Sequence, residues 1–404
     1  GSISGAVSLT VPGVNFTGNF AVEVNNTAAA VDQTIQLAGQ TLTLKLAAGP
    51  FVRVSGRDVQ LAIQGQTLRG NFSFEHVTAA GGEKLTTIVA SNVSLSLGDG
   101  TTSFVSVTNG SGALVLSSAG LAGQLSGTTG LNVPGVTFTG NFSLRINNTA
   151  QALNKTFAFG GTTVTVDVPA GPYLRVEGVG MRLNLLGQSL SGDFAFEQIT
   201  TVATTPVKMV RLAVANLAVQ LGGGTTNYVS LTNGQGSFVL TAQGLAGAFS
   251  GDVAVSIPGV SLSGSLSLKI NNTGAAVNQT FRVGSTTTVL DLPAGPYLSF
   301  EATNVNVTIA GQTLAGNFAF EQATAVDGTK VVKVVATNVS IALGGSTPVV
   351  SVTEGKGAFL VTSAGMAGQL EAKVVLNVPN VSFSRNFVVK INNITAAVEQ
   401  TMSV

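Results

Sequence analysis

One phrase recurs four times along the chain and constrains every fold it can adopt. From Leu131 to Asn148 it reads Leu-Asn-Val-Pro-Gly-Val-Thr-Phe-Thr-Gly-Asn-Phe-Ser-Leu-Arg-Ile-Asn-Asn. The other copies run from Val11-Pro12-Gly13 to Asn26, from Ile257-Pro258-Gly259 to Asn272, and from Val378-Pro379-Asn380 to Asn393. Their prolines stand 122, 124 and 121 residues apart, a long internal period. Each copy is a bend followed by alternation, with Val136, Phe138, Phe142, Leu144 and Ile146 separated by small or polar residues. Side chains two apart share one face of a strand, so the phrase predicts a half-buried β-strand.

The period divides the 404 residues into a partial repeat over 1–37 and units over 38–159, 160–283 and 284–404. The last part of 284–404 is in phase with 1–37. The chain is therefore expected to be a segment of a longer array, with ends matched for joining to neighbours as the alternative. The opening Gly-Ser-Ile-Ser-Gly reads as neither a signal peptide nor an initiator Met.

Within a unit, the Asn-Asn pair is followed by an Ala-rich piece, Thr27 to Thr34 and its counterparts at 149–156 and 273–280, which reads as a loop with one turn at most. A strand pair comes next and ends on Ala48-Gly49-Pro50, Ala170-Gly171-Pro172 or Ala294-Gly295-Pro296. Long alternating segments follow, with bends near Asn or Gly, residues that tolerate φ > 0. Four such elements per unit have the scale of solenoid coils. No segment holds a 3.6-residue period. The fold class is thus all-β with almost no helix: an elongated tandem-repeat architecture, a continuous β-solenoid-like fold being preferred to a string of β-sandwich domains, since no hydrophilic linker recurs at a fixed phase.

Composition narrows the function. Charged residues make up only 9%, against roughly 25% in ordinary soluble domains, and Lys, the usual guard of strand edges, is scarce. Such a surface favours association. A net charge of +1 offers no field for nucleic acid, and the absence of Cys removes disulfides and thiolate metal sites. No apolar run reaches the roughly 20 residues of a membrane helix, and the aromatic girdles of a membrane barrel have no counterpart in a chain with no Trp and three Tyr.

No catalytic, cofactor-binding or metal-binding residue is assigned. The single histidine, His76, is replaced by Gln198 and Gln322 in the other units and reads as a surface residue. Glu75, Glu197 and Glu321 recur at one phase, but without the further carboxylates Ca²⁺ needs they read as solvated acids at a strand end. Asp167 and Asp291 share a phase with Lys45, which argues against a shared metal ligand. The glycines of Gly-x-x-Leu-x-Gly-Asn-Phe lack the ending of a phosphate loop and mark bulges or close strand packing. The Asn-Asn pairs either form hydrogen-bonded ladders or satisfy backbone groups at a turn. Asn25, Asn147, Asn271 and Asn393 also fall in glycosylation sequons, which arise easily in a chain this rich in Asn, Ser and Thr.

The phrases Leu-Asn-Val-Pro-Gly-Val-x-Phe-x-Gly-Asn-Phe and Gly-Gln-x-Leu-x-Gly-Asn/Asp-Phe-x-Phe-Glu resemble the repeat tracts of very large bacterial surface or secreted adhesin-like proteins. The resemblance covers essentially the whole chain and carries over no site residues. It implies export, an extracellular or cell-surface location and an extended shape. The expected role is a structural fibre or stalk segment that associates with copies of itself into a filament or surface layer. The alternative is an adhesin or carbohydrate-binding array that meets surface glycans. An enzyme such as a β-helical polysaccharide lyase ranks third, for want of clustered carboxylates and basic residues.

Overall fold

The computed structural model describes all residues except 12–13, 64–65, 79–81, 99–102, 134–135, 160–161, 186–187, 201–207, 224–225, 259, 325–329, 345–346, 396–397 and 399–404. The Pro-Gly bends at 12–13 and 134–135, Gly259, Gly65 and Gly187 lie outside the described residues, as do 79–81 of the polar stretch from Thr78 to Lys84 and most of 395–401, the truncated fourth counterpart of the Ala-rich piece.

The described residues form 26 strands and no helix. They are β1 (Ser2–Val11), β2 (Val14–Asn25), β3 (Val31–Leu37), β4 (Gln40–Leu46), β5 (Phe51–Ile63), β6 (Gln66–Thr78), β7 (Lys84–Gly98), β8 (Ser103–Ser117), β9 (Gly120–Val133), β10 (Val136–Asn147), β11 (Leu153–Phe159), β12 (Thr162–Val168) and β13 (Tyr173–Leu185). The second half comprises β14 (Gln188–Thr200), β15 (Lys208–Gly223), β16 (Thr226–Thr241), β17 (Gly244–Ile257), β18 (Val260–Asn271), β19 (Val277–Val283), β20 (Thr286–Leu292), β21 (Tyr297–Ile309), β22 (Gln312–Thr324), β23 (Lys330–Leu343), β24 (Val350–Thr362), β25 (Gly365–Val378) and β26 (Val381–Asn392). The expected all-β class is what the structure shows.

The chain forms two compact units. In the first, Gly1–Leu183 with Phe196–Lys208, strands pair antiparallel in the order β1–β2–β5–β6–β7–β8–β9–β10. The second, Asn184–Ala195 with Met209–Val404, runs β15–β16–β17–β18–β21–β22–β23–β24–β25–β26, again antiparallel. Continuity thus comes from ladders between near neighbours in sequence. Every described ladder is antiparallel.

Three short hairpins leave these sheets: β3–β4, β11–β12 and β19–β20. Each has two strands of seven residues, against 10 to 16 in the sheet strands. A repeat counted from residue 38, 160 or 284 therefore begins inside a hairpin. The latter half of each Ala-rich piece, read as loop, is strand: β3 starts at Val31, because an asparagine-centred turn closes the connection within the five residues before it.

The cores lie under the hairpins. In the first unit Phe157, Val164, Val166 and Val168 of β11–β12 pack on Val89, Ala113 and Ala122 of β7, β8 and β9. In the second, Phe281, Val283, Leu290 and Leu292 of β19–β20 pack on Ala195, Ala213, Ala215, Val239 and Ala246. Alternation presents every second hairpin residue to the sheet. Alanines on the sheet face give the larger hairpin side chains room to approach. Burying each Val, Leu or Phe contributes about 1.5–3 kcal/mol.

Bulges interrupt the sheet strands where the sequence places Asn or Gly. Asn92, Asn109, Asn216, Asn233, Asn304 and Asn338 all have φ between 51° and 54°, and Gly180 and Asp58 serve at the phase of Asn304. Pairing slips at these points, as between Ala90 and Val93 on β7. The neighbouring strand offers a glycine: a Cβ on Gly110 would lie 2.9 Å from Val93 Cβ. In the first and third repeats the Asn after the motif glycine completes the arrangement, its Oδ1 accepting from the bulge N–H: Asp58 N to Asn71 at 2.9 Å and Asn304 N to Asn317 at 2.8 Å.

Candidate functional site

The most regular polar constellation is at the base of each hairpin. Asn25, Asn147 and Asn271 end β2, β10 and β18 and are almost wholly buried. The Nδ2 of Asn147 donates to Gln151 O and Pro169 O, both at 2.7 Å, while its Oδ1 accepts from Thr149 N and Thr149 Oγ1, both at 2.8 Å. Asn25 makes the same four bonds with Ala29, Ala47 and Thr27, and Asn271 with Ala275, Pro293 and Thr273. One side chain therefore ties the entry of the hairpin to its exit. The exit is Gly49, Gly171 or Gly295, before a cis proline; a Cβ there would sit 1.9, 2.0 or 2.1 Å from the carbonyl oxygen of the clamp asparagine. Only glycine fits.

The second asparagine works on the strand before. Asn148 Oδ1 accepts from Leu121 N and Asn272 Oδ1 from Leu245 N, each at 2.5 Å; Asn393 Oδ1 accepts from Met366 N. Of the two readings the sequence leaves open, the pairs satisfy backbone groups at a turn.

A second constellation is a row of charges crossing the strands. Arg53 stands directly opposite Glu23 on one side and Glu75 on the other. Its Nη1 lies 2.8 Å from Glu23 Oε2 and its Nε donates to Glu75 Oε2 at 2.6 Å. One repeat on, Arg175 meets Glu177 at 3.2 Å and Glu197 at 3.6 Å, with all three side chains only 12–13% exposed. In the second unit Lys333 meets Glu321 at 2.7 Å and Lys269 meets Glu301 at 3.4 Å. The reading of Glu75, Glu197 and Glu321 as solvated strand-end acids is corrected: strand register sets a cation against each. Sequence reasoning also missed Tyr173, whose phenol burial holds well above its usual range, reinforced by the charge of Glu197 and a hydrogen bond to it. Its only sequence signal is that Arg175 and Glu197 repeat the phases of Arg53 and Glu75.

The remaining candidates stand apart from these. His76 is exposed and its Nδ1 lies 3.1 Å from Thr86 Oγ1. Asp167 and Asp291 accept from Asn154 and Asn278 across their hairpins, at 3.4 and 3.2 Å, and Lys45 faces Asp32 at the same place in the first hairpin, at 3.8 Å. At the bulge of β16, hydrogen bonds from Ser265 and Asn233 hold the Asp252 carboxyl below its ordinary range. Among the described residues no group of three or more His, Cys, Asp or Glu is placed to hold a metal ion, and no helix is long and apolar enough to cross a membrane.

The apolar surfaces are less evenly matched than the polar ones. The first hairpin, β3–β4, buries Leu46 at its base, but Ile35, Leu37 and Leu42 are 50%, 65% and 55% exposed. Their counterparts Phe157, Val164, Phe281 and Val283 are buried. Conversely, the face of β23–β25 in phase with the seat of β11–β12 carries a groove of about 740 Å³, lined by Val335, Ala358, Ala367, Gly368 and Gln369. Val398 also lines it.

Fold and constellations together define an all-β repeat protein with the same clamped hairpin built three times. Comparison of the chain with family models, curated proteins and solved structures finds no match.

Proposed function

We propose that this chain is a structural segment of an extracellular or cell-surface β-repeat fibre or stalk, contributing reach, stiffness and association with copies of itself. The observation that carries this reading is the unequal fate of its polar residues. The asparagines and glycines that hold the backbone are the same in all three hairpins. Of the charge row only Glu75, Glu197 and Glu321 keep their identity: Glu23, Arg145 and Lys269 occupy one phase, and Arg53, Arg175 and Ser299 another. A repeated recognition chemistry would need the reverse. Self-association is supported by a surface poor in charge, 9% of residues, on which Val54, Phe74, Leu125, Leu268 and Val289 in the interior of the array are each more than a third exposed. Sedimentation velocity and negative-stain imaging across a concentration series test it. Growth of uniform polymers supports the reading, and a monomer at every concentration rejects it.

A second reading, a glycan-binding array, draws on Phe74 and Phe196. They share a phase and remain 49% and 37% exposed, as stacking platforms for sugar rings would. Clear hits on a glycan array, lost on Phe74→Ala with Phe196→Ala, would favour it.

A further inference from the structure

We infer that the second unit holds a binding cleft for a single neutral sugar ring, set between hairpin β19–β20 and the sheet strands β16–β18. Three residues at which this stretch departs from the rest of the repeat converge there. Ser237 holds the phase of Ala113 and Ala358, Ala248 that of Gln124 and Gln369, and Thr288 that of Leu42 and Val164. In the first unit Val164 and Ala113 belong to one buried apolar cluster, so the seam between hairpin and sheet is dry. In the second, Ser237 Oγ and Thr288 Oγ1 lie 2.7 Å apart across the same seam, with Ser237 only 4% exposed. The exchange of Gln for Ala beside them removes the bulkiest side chain at this place in the repeat. Room and hydroxyl groups are thus introduced together.

The result is a cleft of about 280 Å³, with Ser237, Ala248, Ser250 and Ser267 of the sheet on one side and residues 287–289 of β20 on the other. Ser250 and Ser267 stand directly opposite each other on β17 and β18. Gln235 adds an amide to the lining. Lys269 lines it as well, but its Nζ lies 3.4 Å from Glu301 Oε1, so its charge is answered within the protein. The cleft therefore presents hydroxyls and an amide without a free charge. Each hydroxyl has one donor and two acceptor sites, so Ser237 and Thr288, bonded once to each other, keep capacity for a ligand. A ligand carrying its own hydroxyls satisfies these groups. An apolar one would strip them of water without replacing it, and an anion would have to compete with Glu301 for Lys269. The volume falls just below the range of about 300–1,000 Å³ typical of drug-sized ligands, which suits one pyranose ring better than a chain of them. Hydrogen bonds exchanged with water over so small an area give weak binding, roughly millimolar. This site goes beyond the structural role proposed above and does not depend on it; Phe74 and Phe196 belong to the other unit.

The first unit supplies the variants for the test. Ser237→Ala with Thr288→Val restores the dry pair of Ala113 and Val164, and Ala248→Gln restores the residue found at Gln124, so both changes use side chains the repeat already accommodates. The full chain is titrated with the methyl glycosides of glucose, galactose, mannose and N-acetylglucosamine, with glucuronate as the charged control, and binding is read by saturation-transfer NMR. Saturable binding of at least one neutral glycoside is expected. Each of the two variants should weaken it by about tenfold or more, while their amide spectra keep the dispersion of the wild-type fold. Phe74→Ala with Phe196→Ala should leave it unchanged. A free glycoside that binds as well as the same sugar at the end of an oligosaccharide marks a site for one ring, whereas affinity that grows with chain length rejects that size. The inference falls if no neutral glycoside binds, if binding survives both cleft variants, or if it is lost with the two phenylalanines instead. Binding of glucuronate in place of the neutral sugars would make Lys269 the recognition group and also overturn it. None of these outcomes bears on assembly, which sedimentation of the same variants reads separately.

Discussion

Replacing Asn147 separates its two functions, because each end of the amide does a different job. Asn147→Ala leaves Pro169 O and Thr149 N without their partner at a position with no solvent exposure, while Gln151 O keeps the hydroxyl of Thr149 at 3.0 Å. At about 1 kcal/mol or somewhat more for each group left unpaired, the loss is about 2–3 kcal/mol. Asn147→Asp is more informative. It keeps the acceptor facing Thr149 but sets a carboxylate oxygen against the two carbonyls that Nδ2 now bonds at 2.7 Å. Burial and those carbonyls both disfavour the charged form, so the folded-state pKa of the new carboxyl rises above its unfolded value of about 3.9. The folded state then holds the proton more tightly than the unfolded state. Stability of the variant is highest below about pH 3.9 and falls as pH rises through the folded pKa. A shift of roughly two units removes about 2.7 kcal/mol by neutral pH. Urea unfolding followed by circular dichroism at pH 3.5 and pH 7, with Asn271→Asp as the matching change in the second unit, reads this directly. A variant as stable as wild type at pH 7, or one that loses stability on acidification relative to wild type, would refute the clamp.

Other changes probe the remaining devices. Gly171→Ala places a Cβ 2.0 Å from Asn147 O, so the first unit should lose several kcal/mol by urea unfolding, more than Gly180→Ala, whose Cβ meets nothing within 4 Å. Leu290→Ala, at a site 1% exposed, should cost about 2–4 kcal/mol, whereas Leu42→Ala on the exposed hairpin should cost under about 1 kcal/mol in the dispersed chain. Glu354 has φ 56° at a phase where the other repeats use Asn109 and Asn233. Glu354→Asn should therefore raise the unfolding free energy by about 0.5–1 kcal/mol, since the carboxyl it removes is largely exposed and makes only a long contact with Lys373, at 3.9 Å.

Much of this architecture was legible in the chain because strands announce themselves every second residue. The period, the Gly-Pro stops and the Asn bends each correspond to a local backbone need, and φ > 0 at Asn92 or Asn216 is what those residues supply. The hairpins were not legible as separate layers. The alternation within β12, Thr-Val-Thr-Val-Asp-Val from Thr163 to Val168, looks like that of any sheet strand, and only its length of seven residues sets it apart. The clamp was half legible: an Asn-Asn pair at fixed phase signals a backbone task, but its closing partner, Pro169 O, lies 22 residues on. The charge row was hidden for the same reason. Arg53 and Glu75 are also 22 residues apart, and nothing local fixes the register that sets them opposite.

That row offers a final discrimination between holding and recognition. In the first repeat Arg53 bridges Glu23 and Glu75, whose side chains are 26% and 27% exposed. In the third the same phases carry Ser299 between Lys269 and Glu321, and the cation has moved to the flanking strand. Arg53→Ser alone should remove about 1 kcal/mol, the discounted worth of a partly solvated bridge. Adding Glu23→Lys with Ser55→Glu installs at the same phases the pair that Lys269 and Glu301 make in the third repeat, and should return part of that loss, about 0.5 kcal/mol by urea unfolding. If the row exists to hold strands, the triple variant should also assemble as wild type does in sedimentation, because any balanced set of charges serves. A triple variant that regains stability but no longer assembles would place Arg53 itself in an interface and make the row a recognition surface.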